Sequence, residues 1–407
     1  MHSFKEKMLE QLYYNKIEKI GYVSIKLVFR FNDVEISSID NGVPHLIEHM
    51  LFRHLGNKRI EELNELFARM GTEIYAKTTY EYISIEFSIA NENFDYALEY
   101  ISLLFSNQNW SIEELCDEKA VVFMEKEIKT GCASKRIKRL YDNVILNKRI
   151  IGTATAIKKI TLKKIYDYYN DIINRDNALC FISGDYTDCQ VKSLESIIKS
   201  DAFIESRSNI NLLPDSLCKR KVHKYFEYVN DDISSFYIHF DIERKNLAEA
   251  KFIHWYLSGY TSPLSYELVD KKAFSYELIS EIDEWREFSE LIFVIDVKYD
   301  NLCAAVFSFS EKFKEIIANF NEEEYLKTVN YIKLAKLKEK NNPEKINDNE
   351  FESLYRNLPK SIPAYEEIKE AFKRIFRFNN YSCYCYYSCN RSELNDALNN
   401  LEEKLFK

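Results

Sequence analysis

Between residues 82 and 89 the side chains alternate without a break. Ile83, Ile85, Phe87 and Ile89 are apolar, and Ser84, Glu86 and Ser88 between them are polar. A period of two puts one set on each face of a pleated ribbon, so the stretch predicts a half-buried strand. Upstream, in NKRIEELNELFARMG, the apolar residues Ile60, Leu63, Phe67 and Met70 recur every three or four positions, predicting a helix that Gly71 stops. ENFDYALEYISLLF returns to the helical period, and SIEELCDEKAVVFMEKEIKTG predicts a further helix led by Ser111 and ended by Gly131. SIDNGVPHLIEHMLFRHLG predicts another, with Asn41 as N-cap and Pro44 in its first turn.

The pattern also repeats at long range. TLKKIYDYYNDIINRDNALCFISGD, from residue 161, aligns without gaps on AYEEIKEAFKRIFRFNNYSCYCYYS, from residue 364. The offset matches Ile165 to Ile368, Ile172 to Ile375, Asn177 to Asn380 and Cys180 to Cys383. Each copy reads as an amphipathic helix feeding a strand through an Asn-containing turn. A repeat spaced by half the chain predicts two tandem, duplicated α/β domains, and 407 residues are more than one ordinary core holds. The polar stretch 205–221 is the natural linker, giving an N-terminal domain over 1–204 and a C-terminal domain over 222–407.

Charge and composition narrow the class. A net charge of −9 argues against a nucleic-acid partner. Eight glycines and six prolines leave little room for glycine-rich phosphate loops. No apolar run approaches the roughly 18 residues of a membrane span. The first residues show neither an export signal nor a transit peptide, so the expected location is cytoplasmic. Nine cysteines then read as reduced thiols. Cys383, Cys385 and Cys389 have odd numbers and would share one face of a strand, as buried thiols or as a metal site.

The chemistry is concentrated in NGVPHLIEHMLF. The chain has seven histidines, and two of them, His45 and His49, stand one helical turn apart with Glu48 between them. On a helix both imidazoles project from one face. This is the H-x-x-E-H order, which suits a metal with the glutamate placed to reach a water. Two histidines leave a catalytic zinc short of a third protein ligand. The plain alternative is a pair of surface histidines with a glutamate beside them.

The surrounding text resembles the inverzincin metallopeptidases of the pitrilysin type, peptidase family M16, whose relatives include insulin-degrading enzymes and mitochondrial processing peptidases. NGVPHLIEHMLF is similar to the family's zinc helix, and GTEIYAKTTYEYISIEF to the strands after it. EKAVVFMEKEI is similar to the distal helix that supplies the third ligand. GTATAIKKITLKKIYDYYNDIINRDNALCFISGD is similar to the end of the N-terminal domain. The resemblance implies an α+β fold in which antiparallel-rich sheets are covered by helices, forming half of a clamshell. It implies one Zn2+ per chain, held by His45, His49 and Glu125. Glu118, seven residues earlier and on the same helix face, would orient a ligand histidine. Glu48 would act as general base, taking the proton of a water and passing it to the leaving amine. The implied activity is a zinc-dependent endopeptidase acting on peptides or short unfolded segments. Without the resemblance, Glu118 and Glu125 would be solvated helix charges.

The resemblance also carries a substrate site and a gap. Family members bind peptide as an added strand, and the matching stretch places Tyr75, Ala76, Lys77 and Thr78 on that edge, with Tyr75 where the family often has asparagine. Active single-chain or homodimeric relatives carry an arginine and a tyrosine seven positions apart. Tyr276 stands at the tyrosine position, but Val269 stands at the arginine position, and the nearby Lys271 and Lys272 do not reproduce the guanidinium fork. The chain thus resembles the zinc-bearing partner of a heterodimer, whose other subunit keeps the Arg/Tyr pair; a homodimer is the alternative. Small bacterial pairs of this kind often mature peptides. Competing readings are a non-catalytic peptidase-like scaffold and a peptide-binding subunit.

Overall fold

The computed structural model describes residues 11–31, 41–79, 81–128, 150–199, 224–258, 262–284, 288–356 and 361–406. The linker 205–221 and the helix stop at Gly131 lie outside the described residues. Two compact units account for the rest.

The first unit is built on five strands: β1 (Leu12–Lys16), β2 (Tyr22–Arg30), β3 (Tyr75–Thr78), β4 (Tyr82–Ala90) and β5 (Ala178–Gly184). Their spatial order is β1-β5-β2-β4-β3. Only the β1–β5 pair is parallel; β2 runs antiparallel to β4 and β5, and β3 antiparallel to β4. Among the described residues, chain order places seven α-helices in this half: α1 (Val43–Arg53), α2 (Ile60–Met70), α3 (Phe94–Leu104), α4 (Ile112–Ile128), α5 (Ala154–Lys159), α6 (Leu162–Ile172) and α7 (Asp188–Ile198). Ile25, Leu27 and Phe29 of β2 and Ile83, Ile85 and Phe87 of β4 join Leu46, Ile47 and Met50 of α1 in one core. That is the apolar half of the alternating pattern, on the predicted face.

The polar half is not left to solvent. In the second half of the chain, α8 (Leu247–Ser258), α9 (Leu302–Ala318) and α10 (Glu322–Glu339) precede α11 (Pro343–Arg356). Residues 337–354 cluster with the first unit. There Asn347 donates to the Ser24 carbonyl at 3.0 Å and accepts from the Ser183 hydroxyl at 2.7 Å. Lys26 is buried between Glu86 at 3.0 Å and Asp348 at 2.8 Å. Burial works to lower the Lys26 pKa, but the two carboxylates outweigh it and hold the ammonium charged. Phe351 packs edge-on against Tyr82 and Phe181. Ser84 is therefore buried where the alternation predicts a solvated face. The strand is covered on both sides, because polar side chains on the second side find polar partners on α11.

The second unit repeats the plan. Its strands β6 (Lys224–Tyr228), β7 (Ile233–Glu243), β8 (Leu278–Glu284), β9 (Phe288–Lys298) and β10 (Tyr381–Tyr387) lie in the order β8-β9-β7-β10-β6, again with one parallel pair, β6 and β10. Here α12 (Tyr365–Ile375) precedes β10 and α13 (Arg391–Phe406) follows it. Leu162 and Tyr365 begin α6 and α12 and stand 203 residues apart; so do Ala178 and Tyr381, which begin β5 and β10. The duplication read from sequence is present element by element. Cys383 and Cys385 are buried on β10. Cys389 lies beyond the strand end, with its Sγ 3.9 Å from that of Cys303.

The start of α1 differs from the expected cap. The N-cap is Gly42, in the left-handed region at φ 95°, not Asn41. A Cβ on Gly42 would fall 2.7 Å from the Ile151 carbonyl oxygen and 2.9 Å from the Gly152 Cα. Gly42→Ala is expected to lower the melting temperature of the first unit, since the backbone conformation alone costs a side chain about 1–3 kcal/mol and the clash adds to it. An unchanged thermal melt would refute this account of the helix start.

Candidate metal centre

α1 is held by its apolar residues: Val43, Leu46, Ile47, Met50 and Leu51 are all buried. His45 and His49 are left on the face turned toward α4. That helix begins with a capping box, in which Glu114 N–H donates to Ser111 Oγ at 3.1 Å and Ser111 N–H donates to Glu114 Oε2 at 2.7 Å. Leu115 and Val122 are its buried anchors. Glu118 and Glu125 fall three residues after each anchor, on the same stripe, so the packing that buries the leucine and valine aims both carboxylates at α1.

The result is a convergent set. His45 Nε2 lies 2.9 Å from Glu125 Oε2, and His49 Nε2 lies 3.4 Å from the same oxygen. His49 Nδ1 lies 3.2 Å from Glu118 Oε2. His45 Nδ1 lies 3.5 Å from Glu48 Oε2, and the Thr78 hydroxyl on β3 donates to that oxygen as well. Each imidazole thus has Nδ1 turned to a carboxylate and Nε2 turned to a shared point. The row continues one turn further, where Arg53 pairs with Asp117 at 2.6 Å and His54 Nδ1 approaches Glu114 at 3.1 Å. His54 and Glu114 are members of this network that sequence reading missed; the signal was His54 next to the motif and Glu114 one turn before Glu118.

The electrostatics follow from the geometry. Burial works to lower the His45 pKa, yet hydrogen bonds to Glu125 and Glu48 push it up to about 9 in the metal-free chain. Burial works to raise the Glu48 carboxyl, while hydrogen bonds from His45 and Thr78 hold it below the ordinary carboxylate value. A folded-state histidine pKa above the unfolded value of about 6.5 stabilises the fold below pH 6.5, and that contribution is lost as pH rises through about 9. In chelator, the melting-temperature advantage of the native chain over His45→Gln is expected to shrink between pH 6.5 and 9. A pH-independent difference would contradict it.

Among the described residues, two groups of three ligand-type atoms lie within 4.8 Å of one another: His45, His49 and Glu125, and His239, Asp241 and Glu290. Neither contains a cysteine, so Cys383, Cys385 and Cys389 form no such group. The second set sits on β7 and β9, where His239 and Glu290 are fully enclosed. A catalytic metal needs an open coordination position; in the first set two of the three ligands, His49 and Glu125, are partly exposed, whereas in the second Asp241 alone is. Its donors, two imidazoles and a carboxylate, fit zinc.

Of the other expected site residues, Tyr75, Ala76, Lys77 and Thr78 form β3, the last strand of the first sheet. Tyr75 and Lys77 face outward, and Thr78 faces Glu48. Tyr276 belongs to the second unit and is 93% exposed, which rules out a core role. Val269 lies in a π-helical turn, Tyr266–Lys271, and Lys271 pairs with Glu267 at 2.8 Å.

This fold, with its H-x-x-E-H helix facing a carboxylate-bearing one, is of a peptidase-like class. The family described as Insulinase (Peptidase family M16) matches residues 37–149, and the Peptidase M16 inactive domain matches residues 159–332. The chain belongs to peptidase family M16. It is 27% identical over 160 residues to the uncharacterized zinc protease YmxG of Bacillus subtilis, covering 38% of this chain and 39% of that protein. It is 21% identical to the zinc protease PqqE of Helicobacter pylori, covering 73% of this chain and 70% of that protein. The human mitochondrial-processing peptidase subunit beta is 22% identical over 43% of this chain and 37% of its own length. The chain thus spans about two fifths of the Bacillus and human relatives. Among solved structures, an M16 inactive domain from Pseudomonas fluorescens superposes with a TM-score of 0.79 at 13% identity, over 93% of this chain and 96% of the other. No helix among the described residues is long and apolar enough to cross a membrane.

Proposed function

We propose that the chain is a zinc-dependent endopeptidase and the zinc-bearing member of a two-subunit M16 assembly. The observation that carries this reading is the convergence of His45 Nε2 and His49 Nε2 on Glu125 Oε2, with the Glu48 carboxylate beside them. When bound, zinc supplies a Lewis acid that activates water and polarises the scissile carbonyl. The chain's own groups do the rest. Glu118, by accepting the Nδ1 proton of His49, keeps that ring's Nε2 free as a donor atom. Glu48 accepts the proton of the attacking water and returns it to the leaving amine. An extended peptide adds alongside β3, the last strand of the sheet among the described residues, where main-chain hydrogen bonds hold it with little demand on its side chains.

The partner is inferred from Val269, which stands where active relatives place arginine, and from the human relative, which is itself named as a subunit. The chain would then work with an M16-type subunit that supplies the Arg/Tyr grip, or with a second copy of itself. The test is hydrolysis of a quenched-peptide library by the purified chain, with and without chelator. Chelator-sensitive cleavage supports a self-sufficient peptidase. Stoichiometric zinc without cleavage supports the half-enzyme. Negligible zinc with peptides left intact would overturn the reading in favour of a scaffold or peptide-binding subunit.

A further inference from the structure

Thr78 is the one residue of β3 that hydrogen-bonds the Glu48 carboxylate. Side chains on β3 alternate outward at Tyr75 and Lys77 and inward at Ala76 and Thr78. The Thr78 backbone pairs with Ile83 of β4 on one side and belongs to the last strand of the sheet on the other. Its side chain is buried, and the hydroxyl donates to Glu48 Oε2, the oxygen that also faces His45 Nδ1. Thr78 and His45 thus approach the same Glu48 oxygen, from β3 and from within α1. A carboxylate on a helix otherwise keeps its rotamer freedom, and an unheld base loses the geometry that proton transfer needs.

We propose that Thr78 is a positioning residue that fixes Glu48 and ties it to the substrate-binding strand. The inference rests on the peptidase reading above. One residue sets two things at once: the rotamer of the base, through its hydroxyl, and the register of an added peptide, through its main chain. The scissile bond and the base are thereby placed from the same rigid element, with no loop between them.

Valine has the shape of threonine without the hydroxyl. Thr78→Val is expected to lower kcat for a quenched peptide by roughly 10–100-fold, the range for outer-shell partners of a metal site. KM should stay within about threefold, zinc stoichiometry should be unchanged, and Thr78→Ser should recover kcat to within about threefold of the native chain. A second readout needs no activity. In metal-free protein, the loss of melting temperature in Thr78→Ala with Glu48→Ala should be smaller than the sum of the single losses, because the two single variants remove the same hydrogen bond. Native-like kcat in Thr78→Val, or no recovery by serine, would overturn the proposal while the peptidase reading stands. A native chain with neither bound zinc nor cleavage would remove the peptidase reading instead; with zinc bound but no cleavage, or without either, additive melting losses overturn the Thr78–Glu48 coupling by themselves.

Discussion

Replacing Glu48 by glutamine is expected to remove peptide hydrolysis, lowering kcat by about 10²–10⁴-fold, while zinc stays bound at the native stoichiometry. Glutamine keeps the shape of the side chain, and its amide oxygen can still accept from the Thr78 hydroxyl. It cannot take up a proton from water. Glu48 is not among the three converging ligand atoms, so the metal has no reason to leave. Its carboxyl is held below the ordinary value by His45 and Thr78 and is therefore ionised at neutral pH, as a general base must be. Initial rates together with metal analysis decide the matter. Turnover within threefold of the native chain would assign the base elsewhere.

The second large effect is expected at Glu125. Glu125→Gln should reduce zinc affinity by far more than Glu118→Gln, for which a loss of about 10–100-fold is expected. Glu125 Oε2 is the point that both Nε2 atoms approach, at 2.9 and 3.4 Å. Neutralising it leaves two imidazoles, too few for a stable site. Glu118 touches the site through the Nδ1 of His49, with Arg53 3.9 Å from its other oxygen, so its loss loosens a ring without removing a ligand. Zinc bound per chain after dialysis against a weak chelator separates the two variants. The zinc-dependent rise in melting temperature should vanish in Glu125→Gln and survive in Glu118→Gln. Equal retention of zinc would show that the third ligand is another group.

These expectations differ in how far the sequence could carry them. The i, i+4 spacing of His45 and His49 is a local fact, since a helix alone puts both rings on one face. Glu118 and Glu125 read as solvated helix charges until the resemblance singles them out; the structure supplies the reason, since the buried Leu115 and Val122 stand three residues before each. Thr78 belonged to a strand that the resemblance singled out for its backbone, and nothing in its neighbourhood announces a hydroxyl bound for Glu48, thirty positions earlier.

Other features follow the same division. The alternation over 82–89 fixed the strand and its apolar face. It could not foresee that α11, more than 250 residues later, would cover the polar face as well, since Asn347, Asp348 and Phe351 look like ordinary residues of an amphipathic helix. The cap of α1 falls on Gly42 rather than the expected Asn41: side-chain capping is the commoner device, whereas here a left-handed glycine meets Gly152 at close range. The sequence by itself determined the helices and strands whose periods it shows, the internal duplication and the placing of His45 and His49 on one helix face, all of which follow from periods of two, 3.6 and 203 residues. Only the tertiary structure decided the meeting of Glu125 with the two histidines, the bond from Thr78 to Glu48 and the recruitment of α11. Those contacts join residues far apart in the chain, and their geometry is set by how whole elements pack.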